Sequence, residues 1–247
     1  MSLVNIDELN NGLLTYKNSP FDHCIIDNFL SDPDTIESEF LKYESPQWLE
    51  YNNIVQHKKV NCDWFLFPKF TYQLIAYLNS TEFIDILSKQ VGCKLYSDPG
   101  LHAGGWHIHG NSGSLNPHLD YSIHPKLPLQ RKLNLIIYLS KDLKEEHGGH
   151  LGLWEGKDSP ETLVKEVAPL FNRAILFDVT NNSWHGLSRV CKLPDGIYRK
   201  SIAIYYLTEL PENINHRSRA LFSLIDDQES MIDDISQFQH MLTTNKK

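Results

Sequence analysis

From about residue 95 the chain is written in short pieces rich in β-branched and aromatic residues: "GGWHIHG", "LNPHLDYSI", "RKLNLIIYLS", "HLGLWEG", "RAILFDV" and "RKSIAIYYLTEL". Gly, Pro, Asn or Asp sits between one piece and the next. Segments this short cannot bury a face alone, so they must pair and then stack. Many short strands at such spacing predict a sandwich, a jelly roll or a barrel.

The first 95 residues have a different texture. "HCIIDNFL" (23–30) is a short apolar run and reads as a strand. "SDPDTIESEFLKY" (31–43) opens with capping residues and an early proline, then places Ile36, Phe40 and Tyr43 at helical spacing. "FTYQLIAYLN" (70–79) carries Phe70, Leu74, Ile75 and Leu78 on one helical stripe. "STEFIDILSKQVG" (80–92) has Ser80 as a cap, Phe83, Ile84, Leu87 and Val91 as an apolar face, and Gly92 as a stop. These stripes are core-packing faces. The stretch 218–242, "SRALFSLIDDQESMIDDISQFQHML", reads as helical or partly disordered, and the last five residues as frayed.

No polar linker separates the two textures near residue 95, so the reading is one domain over 1–247. In it, 1–95 is mixed helical support, 96–210 the β-core, and 211–247 a C-terminal helical segment. Hydrophobic residues at 41% suffice for a core. No apolar run reaches the roughly 18 residues that span a bilayer. The start, "MSLVNIDELNNGLLTY", lacks the basic opening and long apolar stretch of a secretory signal. Cys24, Cys62, Cys93 and Cys191 are scattered, with no C-x-x-C pair, and read as reduced thiols of a cytoplasmic protein. A net charge of −8 counts against a nucleic-acid binder. Three small basic clusters, "HKK" (57–59), "QRK" (130–132) and "HRSR" (216–219), read as solvated surface. Oligomeric state is not readable.

The chemistry concentrates in "SLNPHLDYSIHP" (114–125). His118 and Asp120 are two apart and share one side of an extended chain. His124 follows and offers itself as a third ligand. A second source is "NNSWHGLSRV", which supplies His185 after the strand-like "AILFDV". Two histidines and one carboxylate cap one face of an octahedral metal and leave the other positions open, the facial triad of non-haem Fe(II) oxygenases. Downstream, "YRKSIAIYY" places Arg199, Ser201, Ala203 and Tyr205 on one strand face. A guanidinium and a hydroxyl two apart on an inward face suit a carboxylate, and a buried arginine needs such a partner.

Taken in order, H-x-D, "WHG" and R-x-S make residues 100–208 resemble the 2-oxoglutarate- and Fe(II)-dependent dioxygenases, in their prolyl-4-hydroxylase-like branch. "IIYLSKDL" (136–143) with "GGHLGLW" (148–154) resembles the family's tyrosine-bearing strand and Gly-Gly turn, and "IIDNFLSD" (25–32) its opening segment. The resemblance implies an α+β chain with a mainly β core, a double-stranded β-helix (jelly-roll, cupin-like) buttressed by N-terminal helices. It implies His118, Asp120 and His185 as iron ligands. It sets Arg199, with Ser201 and Tyr138, against the distal carboxylate of 2-oxoglutarate. It implies Fe(II), 2-oxoglutarate and O2 as cofactors, with ascorbate as reductant. The activity implied is hydroxylation of a C–H bond, with succinate and CO2 released, on a prolyl residue of a peptide or protein. A free amino acid or other small molecule is the alternative substrate, and a metal- or anion-holding jelly roll without turnover the alternative class. Relatives that halogenate lack the carboxylate, so Asp120 favours hydroxylation.

If Tyr138 faces the barrel interior, Asn134 and Ile136 do too, while Leu133, Leu135, Ile137 and Leu139 face the helices. Asn134 then needs a polar partner, from the cosubstrate, a water or the backbone. Relatives often carry a cosubstrate-facing tyrosine about ten residues before H-x-D. Here "GWHIHGNSG" (105–113) has none, which leaves His107, His109 or Trp106 in its place. His102, His124, His147 and His150 read singly as surface or supporting residues. The loops 124–132 and 44–59 are candidates for contact with the substrate.

Overall fold

The computed structural model describes residues 3–180, 182–214, 216–225 and 228–229. The N-terminal part holds α1 (Ile6–Leu13), β1 (His23–Ile26), α2 (Pro33–Ser38), β2 (Leu49–Asn53), β3 (Gln56–Asn61), α3 (Lys69–Leu78) and α4 (Thr81–Val91). Then come β4 (Tyr96–Ser97), β5 (Gly105–His109), β6 (Ser114–Leu115), β7 (His118–Leu119), β8 (Leu129–Tyr138) and β9 (Leu151–Glu155). The chain continues through β10 (Thr162–Val167), β11 (Ala174–Asp178), β12 (Trp184–Leu187), β13 (Arg199–Glu209) and β14 (Leu221–Phe222).

The helices start and stop where local chemistry dictates. Ser80 accepts the Phe83 N–H at the head of α4, and Gly92, at φ 71°, ends it in the left-handed conformation. α3 has no side-chain cap of its own. Glu39, at the end of α2, serves instead, accepting the N–H groups of Phe70 at 3.1 Å and Thr71 at 2.6 Å. α2 ends at Ser38, so Phe40 and Tyr43 are not helical, although Phe40 still reaches the core.

Two antiparallel sheets carry the strands. The larger runs β1-β11-β8-β13-β5-β3-β2, with β4 on β13 and β6 on β3; the smaller runs β10-β9-β12-β7-β14. They face each other as a double-stranded β-helix. Leu133, Leu135, Ile137 and Leu139 of the β8 strand and its end join Ile202, Ile204 and Tyr206 of β13. These pack on Leu74, Ile75, Leu78, Phe83 and Leu87 of the two helices. Every second residue of the same strands turns the other way, toward the small sheet. At one end that inner space is closed by Tyr138, Leu151, Leu153, Val167, Ile175, Phe177 and Val179. At the other it stays open as a cavity.

Two sequence expectations change here. Residues 44–59 are no free loop: most form a β2–β3 hairpin that extends the large sheet past β5. Its turn is set by Asn53, whose Oδ1 accepts the N–H groups of Val55 and Gln56, both at 3.1 Å. β2, "LEYNN", is mostly exposed, so it lacks the alternation that marks a half-buried strand. The expected C-terminal helical segment departs from that reading at its start. Leu221 and Phe222 are a strand, pairing with Leu119 and His118 and covering the edge that β7 leaves open. Residues 226–227 and 230–247 of that segment lie outside the described residues.

Candidate metal centre

β7 and β12 run antiparallel with His118 directly opposite His185. Their ring centroids are 4.4 Å apart. Asp120, two residues past His118, presents its carboxylate to both: Oδ1 is 3.8 Å from the His118 Nε2 and Oδ2 is 3.8 Å from the His185 Nε2. One ligand atom from each of the three lies within 4.8 Å of the others. The backbone fixes both rings. Nδ1 of His118 donates to the Asn116 carbonyl at 3.0 Å, and Nδ1 of His185 to the Ser183 carbonyl at 2.8 Å. With the proton held at Nδ1, each Nε2 is a lone pair aimed inward.

The charge states agree with this. Burial, and then the charge of His185, holds His118 down at about 3, and burial lowers His185 as well. Burial alone would raise the Asp120 carboxyl. Arg131, the two histidines and the Tyr205 hydroxyl outweigh it, and the carboxyl stays below the usual carboxylate range. Two imidazole lone pairs and a carboxylate therefore converge with no proton between them, and Oδ2 of Asp120 is buried without a hydrogen-bond donor. Acceptors do not gather in this way unless a cation joins them. The donor set fits a divalent metal of the iron class.

Next to it lies the complementary arrangement, donors lacking acceptors. Arg199 spends its Nε on the Gly149 carbonyl at 2.7 Å, and its guanidinium carbon lies 5.1 Å from the Tyr138 ring centre. The Tyr138 hydroxyl and the ring nitrogens of His109, one of them an N–H in the neutral ring, are buried with no hydrogen-bond partner; Oδ1 of Asn134 is unpartnered too, as an acceptor. Strand pairing places them together: Arg199 is opposite His109 on β5, and Ser201 opposite Tyr138 on β8. Among the described residues no carboxylate pairs with Arg199. An anion such as a carboxylate satisfies this group of donors. Metal cluster and arginine share one cavity of about 490 Å³, which His118, Asp120, His185, Asn134, Arg199 and Ser201 help to line.

Of the three candidates for the missing tyrosine, Trp106 is excluded by its face. It packs toward the helices against Phe40, Trp48 and Phe67. His107 lines the cavity farther along, with its Nε2 3.2 Å from the Ala103 carbonyl. His109 lies beside Arg199. His124 is outside the metal cluster. Its Nδ1 accepts the N–H groups of Lys126 and Leu127, and its Nε2 points at Asp98 Oδ1, 3.3 Å away. It pins the following loop instead of meeting a ligand. His147 accepts the Lys144 N–H in a short turn, and His150 is buried near Glu145.

The sequence reading missed Arg131. As a sequence, "QRK" reads as solvated surface, yet Arg131 is 1% exposed. Its guanidinium sits between the rings of Tyr121 and Tyr205, 3.6 and 3.5 Å from their centres, and Nη1 is 3.6 Å from Asp120 Oδ1. Strict alternation along β8 puts residue 131 on the helix side with Leu133. A bulge in the β8–β13 pairing, where Tyr206 opposes Leu133 but Leu207 opposes Arg131, turns it inward. Arg217 adds a second tie, from Nε to the Asp120 carbonyl at 3.1 Å.

Comparison with known families settles the class. Residues 104–207 match the model of the 2OG-Fe(II) oxygenase superfamily. This segment is a 2OG-Fe(II) oxygenase domain. It contains every residue of the cluster and of the arginine group, and it is the domain of a 2-oxoglutarate-dependent dioxygenase, which works with iron and 2-oxoglutarate. No curated protein sequence matches the chain. Among solved structures, the oxygenase is similar to a Trichoplax adhaerens prolyl hydroxylase in complex with a peptide fragment of the hypoxia inducible factor oxygen degradation domain. That match has 19% identity, covers 81% of this chain and 89% of the other, and has a TM-score of 0.51. A Pseudomonas putida prolyl-4-hydroxylase matches at 12% identity over 80% of this chain and 98% of its own, TM-score 0.52. HygX from Streptomyces hygroscopicus, solved with nickel, 2-oxoglutarate and hygromycin B, matches at 14% identity over 92% and 99%, TM-score 0.51. These likenesses concern the fold. No helix among the described residues is long and apolar enough to cross a membrane.

Proposed function

We propose that this dioxygenase hydroxylates a C–H bond of a prolyl residue in a peptide or protein, converting 2-oxoglutarate and O2 to succinate and CO2, with ascorbate as the reductant that maintains Fe(II). One observation carries the reading: three proton-free ligand atoms converge beside a buried, carboxylate-free arginine in a single cavity. In this reading His118, Asp120 and His185 hold the iron, and Arg199 with Ser201, Tyr138 and His109 orients the distal carboxylate of 2-oxoglutarate. Asn134 contributes a polar contact on the same wall. Once bound, iron and its cosubstrate supply the oxidising power for an unactivated C–H.

What the chain's own residues do follows from their contacts. Asn116 and Ser183 hold the imidazole protons at Nδ1, so Nε2 stays free. Arg131 keeps Asp120 ionised at the pH of catalysis. The closed end of the two-sheet core excludes water on the Tyr138 side. Substrate enters from the opposite, open end. The prolyl preference is supported by the order of the sequence motifs. A small-molecule substrate is the second reading, favoured by the match to HygX along 92% of this chain.

The test is succinate formation from Fe(II), 2-oxoglutarate and ascorbate, with proline-containing peptides and free metabolites compared by the gain of one oxygen atom in mass. His118→Ala is expected to cost more than the roughly 10–100-fold that supporting partners of a metal site contribute. Turnover without iron, or oxygen gain on no member of either panel, contradicts the reading.

A further inference from the structure

The cavity wall formed by β3 and β2 carries a feature that neither the metal nor the cosubstrate explains. Lys58, in the middle of "HKK", points inward and lines the cavity, half-buried, with Tyr51 and Gln56 beside it. Its ammonium lies 5.9 Å from the Tyr51 ring centre. Its neighbour Lys59 turns the other way and is fully engaged, by the Tyr43 carbonyl at 3.1 Å, the Tyr43 ring at 4.1 Å and Glu50 at 3.8 Å. Beyond the Tyr51 ring, the Lys58 ammonium has no hydrogen-bond or ion-pair partner among the described residues. It lines the same cavity as His107, His109, His118 and His185.

Four cationic side chains line the cavity, Lys58, Arg131, Arg199 and the exposed Arg219, against one carboxylate, Asp120. Arg131 is committed to Asp120. Arg199 is committed to the cosubstrate in the proposed function. A divalent metal and a dianionic cosubstrate cancel each other. The loaded cavity therefore keeps the charge of three cations, Arg199, Lys58 and Arg219; Arg199 already faces the cosubstrate carboxylate, and Lys58 and Arg219 have no anion to face among the described residues. Burial lowers Lys58 to about 8, with Asp120 opposing, so the ammonium is held at some cost and lacks only a partner.

We propose that Lys58 receives an anionic group of the substrate, a carboxylate or a phosphate, so that the enzyme selects acidic substrates. The inference rests on the dioxygenase reading and specifies its substrate class: an acidic small molecule, or a peptide with an anionic residue near the target. Arg219, at the lip, steers the same charge inward.

The test uses the full chain loaded with Mn(II) and 2-oxoglutarate in place of turning-over enzyme, and binding read by ligand-observed NMR. Three matched pairs of probes differ only in charge: N-acetyl-L-proline against N-acetyl-L-prolinamide, O-phospho-L-serine against L-serine, and the blocked peptide Gly-Pro-Asp-Gly against Gly-Pro-Asn-Gly. In at least one pair the anionic member is expected to bind about tenfold more tightly or better, and the pair that responds identifies the source of the anion. Lys58→Met removes the preference, Lys58→Arg retains it, and 2-oxoglutarate affinity stays within about twofold in both. Equal response within all three pairs, silence from every probe included, overturns the proposal. So does a Lys58→Met protein that keeps the preference or loses 2-oxoglutarate in parallel. Mn(II) and 2-oxoglutarate binding by the wild-type chain is scored separately, so a failure of the dioxygenase reading is distinguished from a failure at Lys58.

Discussion

Asp120 is pulled in two directions, by the two imidazole nitrogens that share the metal face and by the guanidinium of Arg131 behind it. Arg131 in turn has little freedom, being clamped between two tyrosine rings. Removing it leaves a buried carboxylate uncompensated, which costs about 3–5 kcal/mol in comparable pairs. Arg131→Met is therefore expected to lower the melting temperature and to weaken Mn(II) binding about 10–100-fold. Arg131→Lys should recover part of each, because it restores charge without the flat group that stacks on the rings. Thermal melts and a Mn(II) titration read both effects. A variant with unchanged metal affinity shows that Arg131 supports the fold alone.

The elements that sequence reasoning found share one property: their burial is periodic. α3 and α4 place Leu74, Ile75, Leu78, Phe83 and Leu87 on the core at helical spacing. β13 alternates Arg199, Ser201 and Ala203 with Ile202 and Ile204. The metal cluster was legible for the same reason, since His118 and Asp120 obey strand parity. What was not legible breaks periodicity. A bulge re-aims Arg131, the exposed β2 has no alternation, and β14 is defined only by the edge it covers. Lys58 hid in a basic triplet because charge clusters are read as surface, and only the β3–β5 pairing puts that strand's inner face on the cavity. The Gly-Gly turn into β9 gives an element-scale prediction. Gly149 has φ 69°, and a Cβ there would stand 2.7 Å from Arg199 Cδ and 3.0 Å from Cys191 Sγ. Gly149→Ala is expected to cost about 1–2 kcal/mol in backbone conformation and to displace Arg199, so the KM for 2-oxoglutarate should rise more than kcat falls. An unchanged KM contradicts this.

Across the whole molecule, one sheet carries the helices on its outer face and Arg199, Ser201, Tyr138 and His109, the residues proposed for the cosubstrate, on its strands, while the other contributes both histidines of the candidate metal cluster. Function thus depends on the two sheets staying in register with each other. The same enclosure makes stability depend on pH. His118 is held down at about 3 and His109 well below its ordinary value, both by burial first. Below about pH 6.5 the unfolded chain takes up protons that these two folded histidines refuse, so stability falls as pH falls, by about 1.4 kcal/mol per pH unit for each. The metal-free protein should melt at a clearly lower temperature at pH 5.5 than at pH 7.5, and Mn(II) should raise the melting temperature more at pH 7.5. A flat profile means that the histidines are protonated in the folded state and cannot serve as ligands. The central claim, that one cavity joins a three-ligand metal site to an arginine-anchored carboxylate site, is tested most directly by calorimetric titration of 2-oxoglutarate into the chain with and without Mn(II). Binding is expected only with the metal, abolished in Asp120→Ala and weakened at least about tenfold in Arg199→Met. Equal binding without metal, or an Arg199→Met protein that binds like wild type, contradicts it.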